Sequence, residues 1–444
     1  MTLKTFILGG VHPAENKLSA DKAIETLALP KAVFIPVGQH IGAPAQALVK
    51  KGDAVKVGQL IAKSGGFVSA NIHSSVSGTV AKVDLALDAS GYNKQGIFIN
   101  VEGDEWEESI NRDAKLDTEI KLDAKAIVDK IAEAGIVGLG GATFPTHVKL
   151  MPPPGKIAQM LVVNGVECEP YLTADHRLML EKGEEILVGI RIMMKAISVS
   201  KAYIGIENNK KDAIAYLQKL TANDSSIEIV PLKVQYPQGG EKQLINAVTG
   251  REVPSGALPI EVGAVVSNVG TAFAVYEAVQ KNKPLFERVV TVTGKSVAKP
   301  SNFLVRVGTN AQELIEAAGG LPEDTGKVIS GGPMMGKAVS STDIPVAKGT
   351  SGILMLPNTE SDRRPVKNCI RCNRCASVCP MGLESFRLSV LAKKGMWEEL
   401  EKAHVMDCIE CGSCSYTCPA SRPVLDYIRL GKAKVGQIIR NRKN

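Results

Sequence analysis

Eight of the nine cysteines lie between Cys369 and Cys418, and they repeat one spacing twice, C-x-x-C-x-x-C-x-x-x-C-P. The first run is Cys369, Cys372, Cys375, Cys379 and Pro380; the second is Cys408, Cys411, Cys414, Cys418 and Pro419. Three thiolates on so short a loop converge on one centre, because two-residue spacers curl the backbone and turn its N–H groups toward the sulfurs. The chemistry is that of a [4Fe–4S] cubane. Where two such runs occur in one chain, the fourth cysteine of each ligates the other cluster. That rule assigns Cys369, Cys372, Cys375 and Cys418 to one centre, and Cys408, Cys411, Cys414 and Cys379 to the other. Each proline ends its ligand loop by fixing φ and removing a donor.

Disulfides would need an oxidising compartment, and the opening Met1-Thr2-Leu3-Lys4-Thr5-Phe6 has no charged-then-apolar leader pattern. Zinc takes its ligands as separated pairs, not as a triplet plus a distant fourth used twice. Between the runs, Met381 to Asp407 carries Leu383, Phe386, Leu388, Val390 and Leu391 at helical spacing, then Trp397 and Leu400 after Gly395. The spacing predicts an α-helical ferredoxin module over residues 358–444.

The rest of the chain must position these centres and feed them. At 444 residues it is long enough for several domains. Few aromatics and many glycines favour α/β units with loops that approach ligands closely. No run of eighteen uninterrupted apolar residues exists; the nearest, Val262 to Tyr276, is broken by Ser267, Asn268 and Gly270. The chain is therefore not expected to span a membrane. Its net charge of +7 is spread, apart from a basic tail of Lys432, Lys434, Arg440, Arg442 and Lys443 that reads as a solvated terminus, with contact to an anionic partner or membrane surface as the alternative.

In chain order, Gly9-Gly10-Val11-His12-Pro13 and Lys17 form a loop with no local chemistry. From Pro30 to Val101, short β-type runs separated by glycines predict a β-barrel or sandwich over residues 1–110. It resembles biotinyl and lipoyl carrier domains, but the hairpin that would present the acceptor lysine reads Gly65-Gly66-Phe67-Val68-Ser69-Ala70. A scaffold without a prosthetic group is expected. An α/β domain over residues 111–287 follows. Asp123 caps a helix ended by Gly135, and the glycine-rich loop Gly138 to Thr146 comes next with Lys149 beyond it. The loop fails the dinucleotide fingerprint, because it follows a helix and has Thr143 where a third glycine belongs. Bare N–H groups and a lysine can still cradle a phosphate. The strand Met160 to Val163 ends at Asn164, Glu167 and Glu169, where polar groups can orient a bound ring. Met179 to Ile197 reads as a helix, Ala202 to Ile206 as a strand, Lys210 to Leu220 as a helix and Ile227 to Val234 as a strand. Two more loops, Tyr236 to Lys242 and Val265 to Thr271, join the candidate site. From residue 288 to 350 the pattern suggests a β-grasp fold acting as a spacer.

The strings GLGGATFPTHVK (138–149), NGVECEP (164–170), YPQGGE (236–241) and SNVGT (267–271) resemble, in order and separation, the flavin and NADH motifs of the 51-kDa subunit of respiratory complex I. With the GGVHP opening, the carrier-like domain and the paired clusters, nearly the whole chain is similar to the C subunits of Rnf complexes. The resemblance implies that Gly138, Gly140, Gly141, Lys149, Asn164, Ser267, Asn268 and Thr271 hold FMN, with Phe144, Glu169, Tyr236 and Glu241 facing NADH. Glu167 joins the cofactor set from its place at the strand end. Leu139, Val166 and Gly240 depart from the complex I pattern, standing where it has an arginine, an aspartate and a glutamate. The implied protein is a multidomain α/β NADH dehydrogenase-type subunit with FMN, NAD(H) and two [4Fe–4S] clusters. Its implied place is peripheral, on the cytoplasmic face of the inner membrane. Its implied partners are integral-membrane and flavin or iron–sulfur subunits, with ferredoxin reached indirectly and no nucleic acid. An electron-transfer adaptor with a vestigial nucleotide site is the alternative; a quinone-site subunit is disfavoured by the double cysteine run.

Overall fold

The computed structural model describes residues 3–443; Met1, Thr2 and Asn444, and the side chain of Lys443 in the basic tail, lie outside the described residues. The first folded unit is a two-sheet sandwich. One sheet runs Ala32–Pro36, Asn93–Val101, Gly78–Leu87, Ala54–Val55; the other runs Gln46–Ala47, Leu60–Lys63, Ile72–His73. Alternation drives it: Val33, Ile35, Ile61, Ile72, Ile97 and Ile99 fill the space between the sheets. Gly78, at φ +149°, lies so close to the Asn100 carbonyl that no Cβ fits. The loop from Ser64 to Asn71 is held by Gly65 N–H donating to Ser69 Oγ (2.9 Å) and Ser69 Oγ–H donating to the Ala43 carbonyl (2.8 Å).

The central unit is a four-stranded parallel sheet in the order Ile227–Leu232, Ala202–Glu207, Met160–Asn164, Ala264–Asn268. Its strands are near-continuous apolar runs because helices cover both faces, as parallel sheets require. The capped helix forms as Ala124–Glu133, with Asp123 accepting from Ala126 N–H at 2.8 Å. The helical stretch expected from Met179 to Ile197 is two helices, Ala174–Glu181 and Gly183–Ala196, separated at Lys182, whose φ is −132°. Gly183 packs under the Tyr216 ring, where a Cβ would sit 2.7 Å from a ring carbon.

The β-grasp region is a six-stranded mixed sheet ordered Ile24–Thr26, Ser301–Arg306, Glu287–Thr293, Gly352–Pro357, Thr325–Ser330, Lys337–Ala338. Two boundaries move as a result. The strand Gly352–Pro357 lies inside this sheet and beyond residue 350. The N-terminal segment leaves the sandwich: Ile24–Thr26 pairs in parallel with Asn302–Leu304, and Lys4 and Val11 bridge to Leu232 and Tyr236 of the α/β unit. Pairing partners so far apart in the chain have no local sequence signal.

The C-terminal unit is helical, as its apolar spacing requires: Ser385–Lys393 and Trp397–Lys402 pack on Val424–Lys443 around Leu388, Leu400, Ile428 and Val435. Among the described residues no helix is long and apolar enough to cross a membrane.

Candidate functional site: a strand-end crevice joined to paired cysteine sockets

The strand order makes a crevice. From Met160–Asn164 the chain winds outward in one direction through two strands and then returns to place Ala264–Asn268 on the other side, so the topological switch point lies between the ends Asn164 and Asn268. Ligands of open α/β sheets bind at such a point. The helix Val269–Lys281 starts there. Asn268 caps it, its Oδ1 accepting from Gly270 N–H (2.8 Å) and Thr271 N–H (3.3 Å), while its amide donates to Asp175 (2.7 Å). The glycine loop lies across this helix start: Leu139 N–H donates to Thr271 Oγ1 (2.9 Å), and Gly138 N–H donates to the Phe144 carbonyl (2.9 Å). A Cβ on Gly140 would sit 2.7 Å from the Asn268 amide nitrogen, whereas one on Gly141 would meet nothing within 4 Å. Gly140 is thus demanded by the fold, and Gly141 leaves open backbone beside a helix N-terminus. Such a cradle fits the phosphate of FMN.

Around it, Asn164 ties the strand end to the Tyr236–Glu241 turn, donating to the Gly239 carbonyl (2.8 Å) and accepting from Val166 N–H (3.0 Å). Lys149 Nζ bonds Glu241 Oε1 (2.9 Å) and the Val266 carbonyl (3.2 Å), so residues expected on the flavin and on NADH meet each other; Ser267 and Phe144 are half-buried beside them.

Several expected site residues have other partners. Thr271 and Asn268 are buried fastenings of the glycine loop and the helix start. Glu167 accepts from Asp175 N–H (2.8 Å) and His176 N–H (3.2 Å), capping the helix that begins at Ala174. Glu169, expected to face nicotinamide, accepts from Met334 N–H (3.0 Å) and Met335 N–H (2.7 Å) of the Gly331–Gly336 turn. Burial pushes this carboxyl up to about 7, against the pull of those two N–H groups and Lys17. Tyr236, also expected to face NADH, is 2% exposed and donates its hydroxyl to the Cys411 carbonyl at 2.8 Å. The Gly331–Gly336 turn of the β-grasp region thus packs on the Glu169 loop, and the Tyr236 hydroxyl reaches the cysteine loop at Cys411.

Residues with no local signal complete the scaffold. Lys17 donates to the carbonyls of Glu167, Glu169 and Leu172 at 2.7–2.9 Å, and burial, then Lys210, lowers it to about 8. Lys210 supports the same loop through the Val166 carbonyl (2.7 Å). Lys348, 1% exposed, donates to the carbonyls of Asn71 and Gly135 (both 2.8 Å), locking the sandwich to the capped helix; burial lowers it to about 7. Asp175 is pushed up by burial and then by Glu167.

The second cysteine run is buried against this crevice. Cys379, Cys408, Cys411 and Cys414 line one cavity with Leu383, Leu388 and Leu425, the set expected from crossed ligation. N–H groups point at the sulfurs: Leu383 to Cys379 and Glu410 to Cys408, both 3.4 Å. This donor set fits a cubane, whose charge the N–H groups and Lys432, bonded to the Cys408 carbonyl at 2.5 Å, help to hold. Lys432 is thus not part of a solvated tail. Burial and the neighbouring thiols raise Cys414, pushing it up to about 12 without a ligand. In the other set, Cys375 has Cys418 beside it and Cys369 and Cys372 are exposed. Among the described residues no three His, Cys, Asp or Glu side chains are gathered about a single-ion point. The ninth cysteine, Cys168, packs with Tyr236, Cys411 and Met334 at the seam. Gln243 donates to the Pro380 carbonyl (3.1 Å) and Gly10 N–H to the Val378 carbonyl (2.9 Å) across the same seam.

Four family models match in succession: the RnfC barrel sandwich hybrid domain over residues 5–104, the Nuo51 FMN-binding domain over 131–277, the SLBB domain over 289–338 and a 4Fe-4S dicluster domain over 362–419. The chain is 50% identical over 439 residues to the C subunit of the proton-translocating ferredoxin:NAD(+) oxidoreductase complex of Clostridium ljungdahlii, covering 97% of this chain and 94% of that one. It is 47% identical to the C subunit of the Na(+)-translocating ferredoxin:NAD(+) oxidoreductase complex of Acetobacterium woodii, covering 96% of each. It is 43% identical to the C subunit of the ion-translocating oxidoreductase complex of Rhodobacter capsulatus, covering 97% of this chain and 83% of that one. With a flavin-type crevice and two cubane sockets in one fold and this identity along almost its whole length, the chain belongs to the C-subunit family of ion-translocating ferredoxin:NAD oxidoreductase complexes.

Proposed function

We propose that this chain is the subunit of a ferredoxin:NAD oxidoreductase complex that exchanges a hydride with NAD(H) at an FMN in the strand-end crevice and passes single electrons through two [4Fe–4S] centres. FMN supplies the link between a two-electron donor and one-electron acceptors. The chain's own residues bind and place. Gly141 offers open backbone to a phosphate beside the helix start that Asn268 caps, Lys149 and Glu241 set charge at the rim, and Asn164 holds the loop that closes the crevice. No side chain is assigned as a general acid or base, since the chemistry resides in the cofactors and the protein contributes orientation and electrostatics.

The observation that carries this reading is the shared wall. The Tyr236 turn borders the crevice through Gly239 and Asn164, and the same turn touches the buried cysteine cavity through Cys411. The order of transfer is therefore crevice, buried centre, exposed centre. The partners are the other subunits of such a complex, and the chain sits peripherally on the cytoplasmic face of the membrane. The relatives differ in the ion named, so the pumped ion is decided by assaying the native complex with sodium or protons varied.

Acid extraction should release FMN fluorescence, and anaerobic NADH should bleach the flavin of the intact chain. Iron without flavin, or flavin that NADH leaves oxidised, would replace this reading with an iron–sulfur adaptor whose nucleotide site is vestigial.

A further inference from the structure

The two cysteine runs have the same spacing but opposite surroundings, which makes each a control for the other. In the buried run the residues between ligands are Ile409, Glu410, Gly412 and Ser413; in the exposed run they are Ile370, Arg371, Asn373 and Arg374. The backbone is alike, with positive φ at Glu410 (57°) and Arg371 (53°), and at Gly412 (81°) and Asn373 (59°). What differs is what lies on top. Ile409 packs against Val11, Tyr236 and Cys411 of the seam, and Gly412 lies so close to the Met334 carbonyl that a Cβ would stand 2.9 Å from it. Ile370 is 69% exposed, Val366 is 61% exposed, and Asn373 carries a side chain where the covered run has a glycine. The charge also reverses. Glu410 is held by Arg429 and Lys432, both at 3.2 Å, while the exposed run and its lead-in carry Arg363, Arg364, Lys367, Arg371 and Arg374. Arg363 pairs with Asp426 at 3.2 Å; among the described residues the other four cations form no ion pair.

We infer that the face formed by residues 363–374 is the docking surface for an acidic one-electron carrier protein, which trades electrons with the exposed centre. This rests on the electron-transfer reading above. An uncovered apolar pair, ringed by unpaired cations and set on the ligands of a redox centre, has the form of a protein interface: an apolar middle with a charged rim that steers encounter. A lipid surface would use the cations equally but gives no reason for them to surround Cys369 and Cys372. The step needs no proton: one electron leaves the reduced exposed centre, and the oxidised carrier gains it.

The test uses the full, cluster-loaded chain and the soluble domain of cytochrome b5 as an acidic one-electron probe, with a basic cytochrome c for contrast. Binding is measured first by calorimetry on the oxidised chain without NADH, then reduction of the haem is followed with NADH present. Opposite-charge steering changes on-rates by 10-fold or more. Affinity and second-order rate for cytochrome b5 should each fall at least about tenfold between about 20 mM and about 300 mM NaCl, and equally in an Arg363→Glu, Arg364→Glu, Lys367→Glu variant. Iron content and the rate of flavin bleaching by NADH should be unchanged in that variant, which separates this face from the flavin reading. Equal behaviour of the acidic and basic proteins, or a rate indifferent to salt and to the three substitutions, would overturn the inference. So would a variant that loses binding to phosphatidylglycerol vesicles while handling cytochrome b5 as the wild type does.

Discussion

Glu169→Gln distinguishes a carboxylate that anchors the Gly331–Gly336 turn from one that reads NADH. In the structure both oxygens accept N–H groups, from Met334 and Met335, and burial raises the carboxyl from an ordinary 4.5 to about 7. A folded-state value above the unfolded one means that the folded form holds its proton more tightly, so stability is fullest below about pH 4.5 and is lost as pH rises through about 7. At 1.36 kcal/mol for each pH unit between the two values, ionisation costs on the order of 3 kcal/mol, less than half of it between pH 6 and pH 8.5. Glutamine is nearly isosteric with the protonated acid and does not titrate. The stability of the variant relative to wild type should therefore improve by on the order of 1 kcal/mol from pH 6 to pH 8.5, read from urea midpoints and slopes. Its KM for NADH, with ferricyanide as acceptor, should stay within about twofold. A stability difference indifferent to pH would refute the anchoring argument. A KM raised about tenfold, the 1.4 kcal/mol of a lost hydrogen bond to the ligand, would return Glu169 to the nicotinamide.

Gly141→Ala adds a methyl group into space the protein leaves open, so the fold should be intact and FMN retention should fall about tenfold, measured by fluorescence after gel filtration; unchanged flavin would place the phosphate elsewhere. Tyr236→Phe strips the buried Cys411 carbonyl of its partner and should destabilise the seam by about 1–3 kcal/mol, with slower reduction of the buried centre by NADH in stopped-flow spectra. Cys375→Ser should lower iron from about eight per chain toward about four and spare the flavin. Cys379→Ser should instead disturb the centre of Cys408, Cys411 and Cys414; loss of the other signal would show that each run closes its own cluster.

Chemistry that depends on neighbours in the chain was legible in the residues alone. Two-residue spacers force three thiolates together whatever surrounds them, so the cluster sockets followed from Cys369 to Cys418 by spacing. The Asp123 cap and the helical ferredoxin likewise rest on contacts a few residues apart. Tertiary structure decided what long-range contacts supply. Glu169 and Met334 are 165 residues apart, Tyr236 and Cys411 are 175, and Lys17 and Leu172 are 155, so no local pattern marks their pairing. The same holds for Ile24–Thr26, an ordinary short β-type run whose place in the β-grasp sheet depends on an edge formed by Ser301–Arg306. A buried lysine such as Lys348 reads in sequence as a surface residue, because only the fold brings two carbonyls from separate units to its amine and withdraws it from water. Equally spaced cysteine runs look equivalent on paper, and it is the packing of Ile409 under Tyr236, with Ile370 left bare, that makes one the inner centre and the other the outer.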